Sequence, residues 1–170
     1  MKSILTLPTW QVFLFLILPA FFSKAPFVGI ILTGIWEVLL AYCVYFLGKS
    51  LYQRLPEGHD LKIKRFNFHL LFAIAYLAIV FIVFSGGYEI NQDNYKNYGW
   101  ALAIIIPLHL FTMYCMFYVI WFIAKAIATI ENKKVVGFDI YASSFFLLWF
   151  FPIGIWWVHP KVRSIFLANK

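Results

Sequence analysis

Apolar residues run along this chain in long unbroken blocks, and polar residues gather in the short stretches between them. Blocks of about 20 residues without alternation mark helices surrounded by hydrocarbon, not half-buried strands or surface helices. Residues 4–22, 27–47, 66–84 and 100–127 are each read as a spanning helix. A fifth block, 140–158, is interrupted by Pro152 and Gly154, which remove a helix hydrogen bond and loosen a turn. The predicted fold is all-α: a polytopic membrane helix bundle of four spanning helices plus a C-terminal membrane segment, re-entrant or a fifth crossing. All of it forms one membrane domain over residues 1–170.

The boundaries have local signals. Thr6 and Pro8 suit the start of the first helix, and Ser23-Lys24-Ala25-Pro26 makes a tight connection to the second. Gly48, Lys49 and Pro56 are expected to stop the second, and Ser85-Gly86-Gly87 the third. Lys2 before an apolar run resembles a secretory signal, but Pro26 directly after a cut at Ala25 argues against cleavage.

Composition agrees with the pattern: 64% of the residues are apolar and 12% charged, where soluble domains hold about 45–50% and 25%. Cys43 and Cys115 lie inside apolar runs and read as packing residues. The 14 Lys and Arg against 7 Asp and Glu are spread between apolar blocks, so they signal topology and not nucleic-acid binding. Lys49, Arg54, Lys62, Lys64 and Arg65 crowd one loop, which the positive-inside rule assigns to the cytoplasm. The acidic, Asn- and Tyr-rich stretch 88–98 then lies outside, and Lys125 is expected to snorkel towards the inner head groups. A fifth crossing would put Lys161, Arg163 and Lys170 outside. The preferred reading is therefore a re-entrant segment turning at Pro152-Ile153-Gly154, with Pro160 opening a short basic surface helix. Both termini are then cytoplasmic.

Chemistry is sparse. Glu37 is the one acid inside an apolar block, where an ionisable side chain costs about 2.5–3.5 kcal/mol on insertion scales. Gly34, Ala41 and Gly48 share its helical stripe, so it is expected to face protein. Counted down parallel helices at about 1.5 Å per residue, His109 falls at the same depth. Pro107 is expected to kink that helix and Thr112 lies one turn below His109, so Glu37, His109 and Thr112 form a possible intramembrane polar site. Such a site serves either a proton or ion path or simple helix register, and register is the preferred reading. The four histidines fall at different depths, so no pair is placed to ligate haem; no cofactor and no metal are expected. No H-E-x-x-H, C-x-x-C, G-x-S-x-G or phosphate-loop motif is present, and no catalytic residue is nominated. Asp139 is read as a helix cap and Ser143-Ser144 as small packing residues.

Trp10-Gln11-Val12-Phe13-Leu14, Ile106-Pro107-Leu108-His109-Leu110 and the stretch from Phe145 to Trp156 together resemble small, functionally uncharacterised multi-pass inner-membrane proteins of Bacteroidota-type bacteria. The resemblance implies a bacterial inner (plasma) membrane and no particular activity. The expectation is a non-enzymatic integral membrane protein, an accessory or structural subunit of a larger assembly. Its partners would be the lipid bilayer and other membrane subunits or further copies of itself. The alternative is a small proton- or ion-coupled transporter or channel centred on Glu37 and His109.

Overall fold

The computed structural model describes residues 7–18, 26–85 and 99–167. The described residues form six helices and no strand: α1 (Thr9–Ile17), α2 (Pro26–Tyr52), α3 (Ile63–Ser85), α4 (Gly99–Asn132), α5 (Phe138–Trp149) and α6 (Phe151–Leu167). Helices α2, α3 and α4 are each long and apolar enough to cross a membrane. The nine described residues of α1 rise about 14 Å, roughly half a hydrocarbon core. The remainder of the block 4–22, Thr6 included, lies outside the described residues, as do Ser23-Lys24-Ala25, Gly86-Gly87 and the stretch 88–98.

Two helices outrun their expected ends, and packing supplies the reason. Gly48 does not stop α2, because its missing side chain makes room for Phe66: a Cβ there would lie 2.3 Å from Phe66 Cζ. Helix α4 continues past 127 since residues 122–129 are all buried. Lys133, with φ of 53°, then turns the chain out in the left-handed conformation that commonly ends helices. Pro107 lies within α4, which runs through it unbroken.

Helices α2 and α3 are antiparallel, Gly48 lying under Phe66 and Gly34 beside Phe81. On its other side α3 meets α4 through a ladder of rings, His69 on Tyr118, Phe72 on Phe111 and Tyr76 on His109. Helix α5 climbs beside α4, fixed by Trp121 Nε1 donating to the Tyr141 hydroxyl and by Trp149 stacked on Phe117 at 4.0 Å. Helix α6 folds back on α5, so that Lys161 Nζ reaches Ser144 Oγ. Helix α1 lies along α6 and touches α2, where Trp36 Nε1 donates to the Phe15 carbonyl.

The C-terminal block is thus a helical hairpin, with two corrections to the expected geometry. Its break falls at Phe150, and Pro152 sits in the first turn of α6, where a missing N–H costs little. Gly154 is inside α6, pressed on the Leu147 backbone so closely that a Cβ would meet the Leu147 carbonyl oxygen at 1.7 Å. Pro160 opens no new helix; α6 passes through it to Leu167. There Arg54 donates to the Ile165 carbonyl and lies over the Phe166 ring, bringing the end of α6 back to the α2–α3 connection. Asp139 makes no capping hydrogen bond at the start of α5, where Gly137 is the N-cap.

The core lies at the same end. Leu51, Leu61, Phe66, Phe122, Ile127, Val158 and Val162 cluster there, whereas residues 103–111 of α4 are all exposed.

Candidate intramembrane polar site

Lys125 does not snorkel. It is 7% exposed, donates to Asp60 in the α2–α3 connection and lies 5.3 Å from the centre of the Trp121 ring. An aspartate folded over the helix gives the ammonium a counter-charge within the protein, and that ties the connection to α4.

The depth argument for Glu37 and His109 holds, but their directions do not converge. Tyr76 stands about 13 residues into α3 and Glu37 about 15 from the end of α2, or roughly 20 and 22 Å from that end of the bundle. His109 is level with Tyr76, whose hydroxyl lies 3.3 Å from His109 Nδ1. The acid and the imidazole nevertheless neighbour opposite faces of α3. At roughly 100° per residue, His69, Phe72 and Tyr76 face α4, and Ile74, Ala78 and Phe81 lie on the opposite side, around Glu37. No hydrogen bond joins Glu37 to His109, and Thr112, though buried, donates to the Leu108 carbonyl of its own helix. The expected three-residue centre is not assembled.

What the structure forms at that level instead is a groove on the α2–α3 seam. Gly34 and Glu37 of α2 and Ile74, Ala78 and Phe81 of α3 line about 370 Å³ of open, almost wholly apolar space. Gly34 keeps it open, since its hydrogen leaves the Phe81 ring as the nearest neighbour. Oε1 of Glu37 is buried and has no hydrogen-bond partner. A second groove of about 330 Å³ continues the first, sharing Ile74 and running between Ala41 and Tyr45 on α2 and Asn67 and Leu71 on α3. Here too a polar atom is left over, Oδ1 of Asn67.

Of the other polar groups in the spans, Thr129 Oγ1 on α4 is also buried without a hydrogen-bond partner, whereas two are answered within their own helices. Thr33 donates to the Gly29 carbonyl, and His69 Nδ1 lies 2.6 Å from the Arg65 carbonyl. Asn67 carries no motif; its one signal in the sequence is an amide a single residue inside an apolar block. Tyr76 could have been noticed as a tyrosine far from either interface belt. Among the described residues no group of three or more His, Cys, Asp or Glu is arranged to hold a metal ion. Comparison with protein-family models, curated proteins and solved structures finds no match.

Proposed function

We propose that this chain is an integral protein of a bacterial inner membrane and acts as a structural or accessory subunit, presenting its α2–α3 seam to another transmembrane helix. The observation that carries the reading is the carboxyl of Glu37, placed at mid-depth in an apolar groove with Oε1 unpartnered. An ionisable side chain in a groove open to hydrocarbon is costly, and a neighbouring helix laid over the groove shields it from lipid. Helix α2 is also the barest of the three long helices: none of its most apolar stretch is buried, against 22% and 17% in α3 and α4. A proton or ion path through Glu37 and His109 has no such support, because the two neighbour opposite faces of α3 and share no hydrogen bond.

The charge pattern and the hairpin suit one orientation, with the N-terminus and the end of α6 in the cytoplasm and α5–α6 re-entrant from that side. Helix α5, about 18 Å long, is too short to span. Native mass measurement from mild detergent or lipid nanodiscs tests the assembly reading. A species heavier than one chain is expected, and a bare monomer under every mild condition contradicts it.

A further inference from the structure

Helix α1 rests on α6 through few groups, and one of them titrates. Thr9 Oγ1 lies 3.1 Å from His159 Nδ1, and the rings of Phe13 and Trp156 meet beside this contact at 5.6 Å. His159 is 7% exposed, and its second ring nitrogen, Nε2, is enclosed with no hydrogen-bond partner. The neutral ring suits such a place: with its hydrogen on Nδ1 it donates to Thr9, and Nε2 presents only a lone pair. Imidazolium does not suit it. The cation carries an N–H on both nitrogens, and the second would be a charged donor with nothing to accept it. To hydrate that N–H the ring has to swing towards the polar end of α6, where Arg163 and Ser164 are exposed, and the contact with Thr9 goes with it.

No neighbouring acid offsets this. Arg163 follows His159 one turn along α6, Lys161 turns to Ser144 on α5, and Arg54 reaches α6 at the Ile165 carbonyl. The described residues of α1 hold no ionisable side chain. Asp139 is exposed in the first turn of α5, and α4 with its exit brings Lys125, already paired with Asp60, and the exposed Glu131, Lys133 and Lys134. None of these meets Nε2. His159 lies outside the three long spans, and burial first, then the Arg163 guanidinium, hold it below the ordinary imidazole range. We infer that α1 is a proton-sensitive arm, docked on α6 through Thr9 while His159 is neutral and released from α6 when that ring takes a proton. The docking contribution is fully present above about pH 6.5, the ordinary imidazole value, and is lost as the pH falls below it, because the released ring binds a proton more readily than the docked one. The bond from Trp36 to the Phe15 carbonyl does not titrate, so it is the α1–α6 contact that changes and not the one with α2.

The test uses the full chain in lipid nanodiscs, which are open to buffer on both faces. Nitroxide labels on Leu14→Cys of α1 and Ser164→Cys of α6, both exposed positions, report the separation of the two helices in a Cys43→Ala background; Cys115 is fully enclosed and can stay. One short separation is expected at pH 8. Below about pH 6.5 a longer one should grow reversibly, its ratio to the short one rising by up to about tenfold per pH unit, the limit for a single proton. His159→Asn keeps an amide near the place of Nδ1 and cannot take the proton, so it should hold the short separation down to pH 5. Thr9→Val, without the hydroxyl, should show the longer separation already at pH 8. A separation unchanged between pH 8 and pH 5, or a change that persists in His159→Asn, overturns the inference. A Thr9→Val chain as firmly docked at pH 8 as the unaltered one overturns it as well, a check that stands even if His159→Asn fails to fold.

Discussion

Two glycines on one face of α2 have opposite tolerances, and the difference lies in single atoms. At Gly48 a methyl group would meet the Phe66 ring, itself fully buried against Phe122, so the ring has nowhere to go. Gly48→Ala is expected to lower stability by about 1–3 kcal/mol. Gly34→Ala adds ordinary contact with Phe81 and gains helix propensity, so its melting temperature in detergent should equal or exceed that of the unaltered chain. A fall as large as that of Gly48→Ala would show that the groove at Gly34 is already full. The Lys125–Asp60 pair makes a second residue-scale case. Asp60→Ala strands a buried ammonium and should cost about 1–3 kcal/mol, less than a fully enclosed pair because the aspartate side chain is 54% exposed. Adding Lys125→Met removes the stranded charge, so the double variant should melt above Asp60→Ala alone. If the two losses simply add, the ion pair is not what holds the α2–α3 connection down.

At the scale of elements, the long apolar blocks were legible because hydrocarbon demands an unbroken run, and α2, α3 and α4 appear where the pattern put them. Their ends were less so, for Gly48 reads as a stop only until Phe66, eighteen positions on, is known to fill the space above it. Depth was legible for the same reason as length, since both follow from counting residues at 1.5 Å each. Direction was not: which face of α3 each neighbouring side chain meets is a fact of lateral packing that no spacing within one helix encodes. The broken C-terminal block was readable as a turn through Pro152 and Gly154, yet the role of Gly154 is contact with Leu147, not the bend itself. Gly154→Ala should therefore prise α5 from α6, costing at least about 3 kcal/mol because backbone cannot yield as a ring can, and should speed proteolysis near Phe150. The re-entrant reading of the hairpin also predicts a topology. Ser164→Cys, exposed near the end of α6, should react with a membrane-impermeant thiol reagent from the same side as Lys62→Cys in sealed vesicles. Reaction from opposite sides would make α5–α6 a crossing, not a re-entrant pair.

For the molecule as a whole, the uneven distribution of its core matters more than its composition. The buried cluster gathers at the end where Leu51, Leu61, Phe122 and Val162 meet and where Arg54 and Lys125 tie connection to helix, while residues 103–111 of α4 stand exposed. In lipid the apolar drive between helices is absent, so packing and hydrogen bonds must hold the bundle, and both are concentrated at that one end. Equal truncations at the two ends should then have unequal consequences. Phe122→Ala empties a fully buried site stacked with Phe66 and Tyr52 and is expected to cost ~3–5 kcal/mol. Phe111→Ala, on a residue 39% exposed, loses chiefly its edge contact with Phe72 and should cost about 1 kcal/mol. Thermal unfolding in one detergent compares them directly. Equal shifts would mean that the exposed half of α4 is covered in the assembled protein and contributes as much cohesion as the buried end. The same measurement repeated after dilution separates cohesion within a chain from cohesion between chains, because only the second weakens as protein concentration falls.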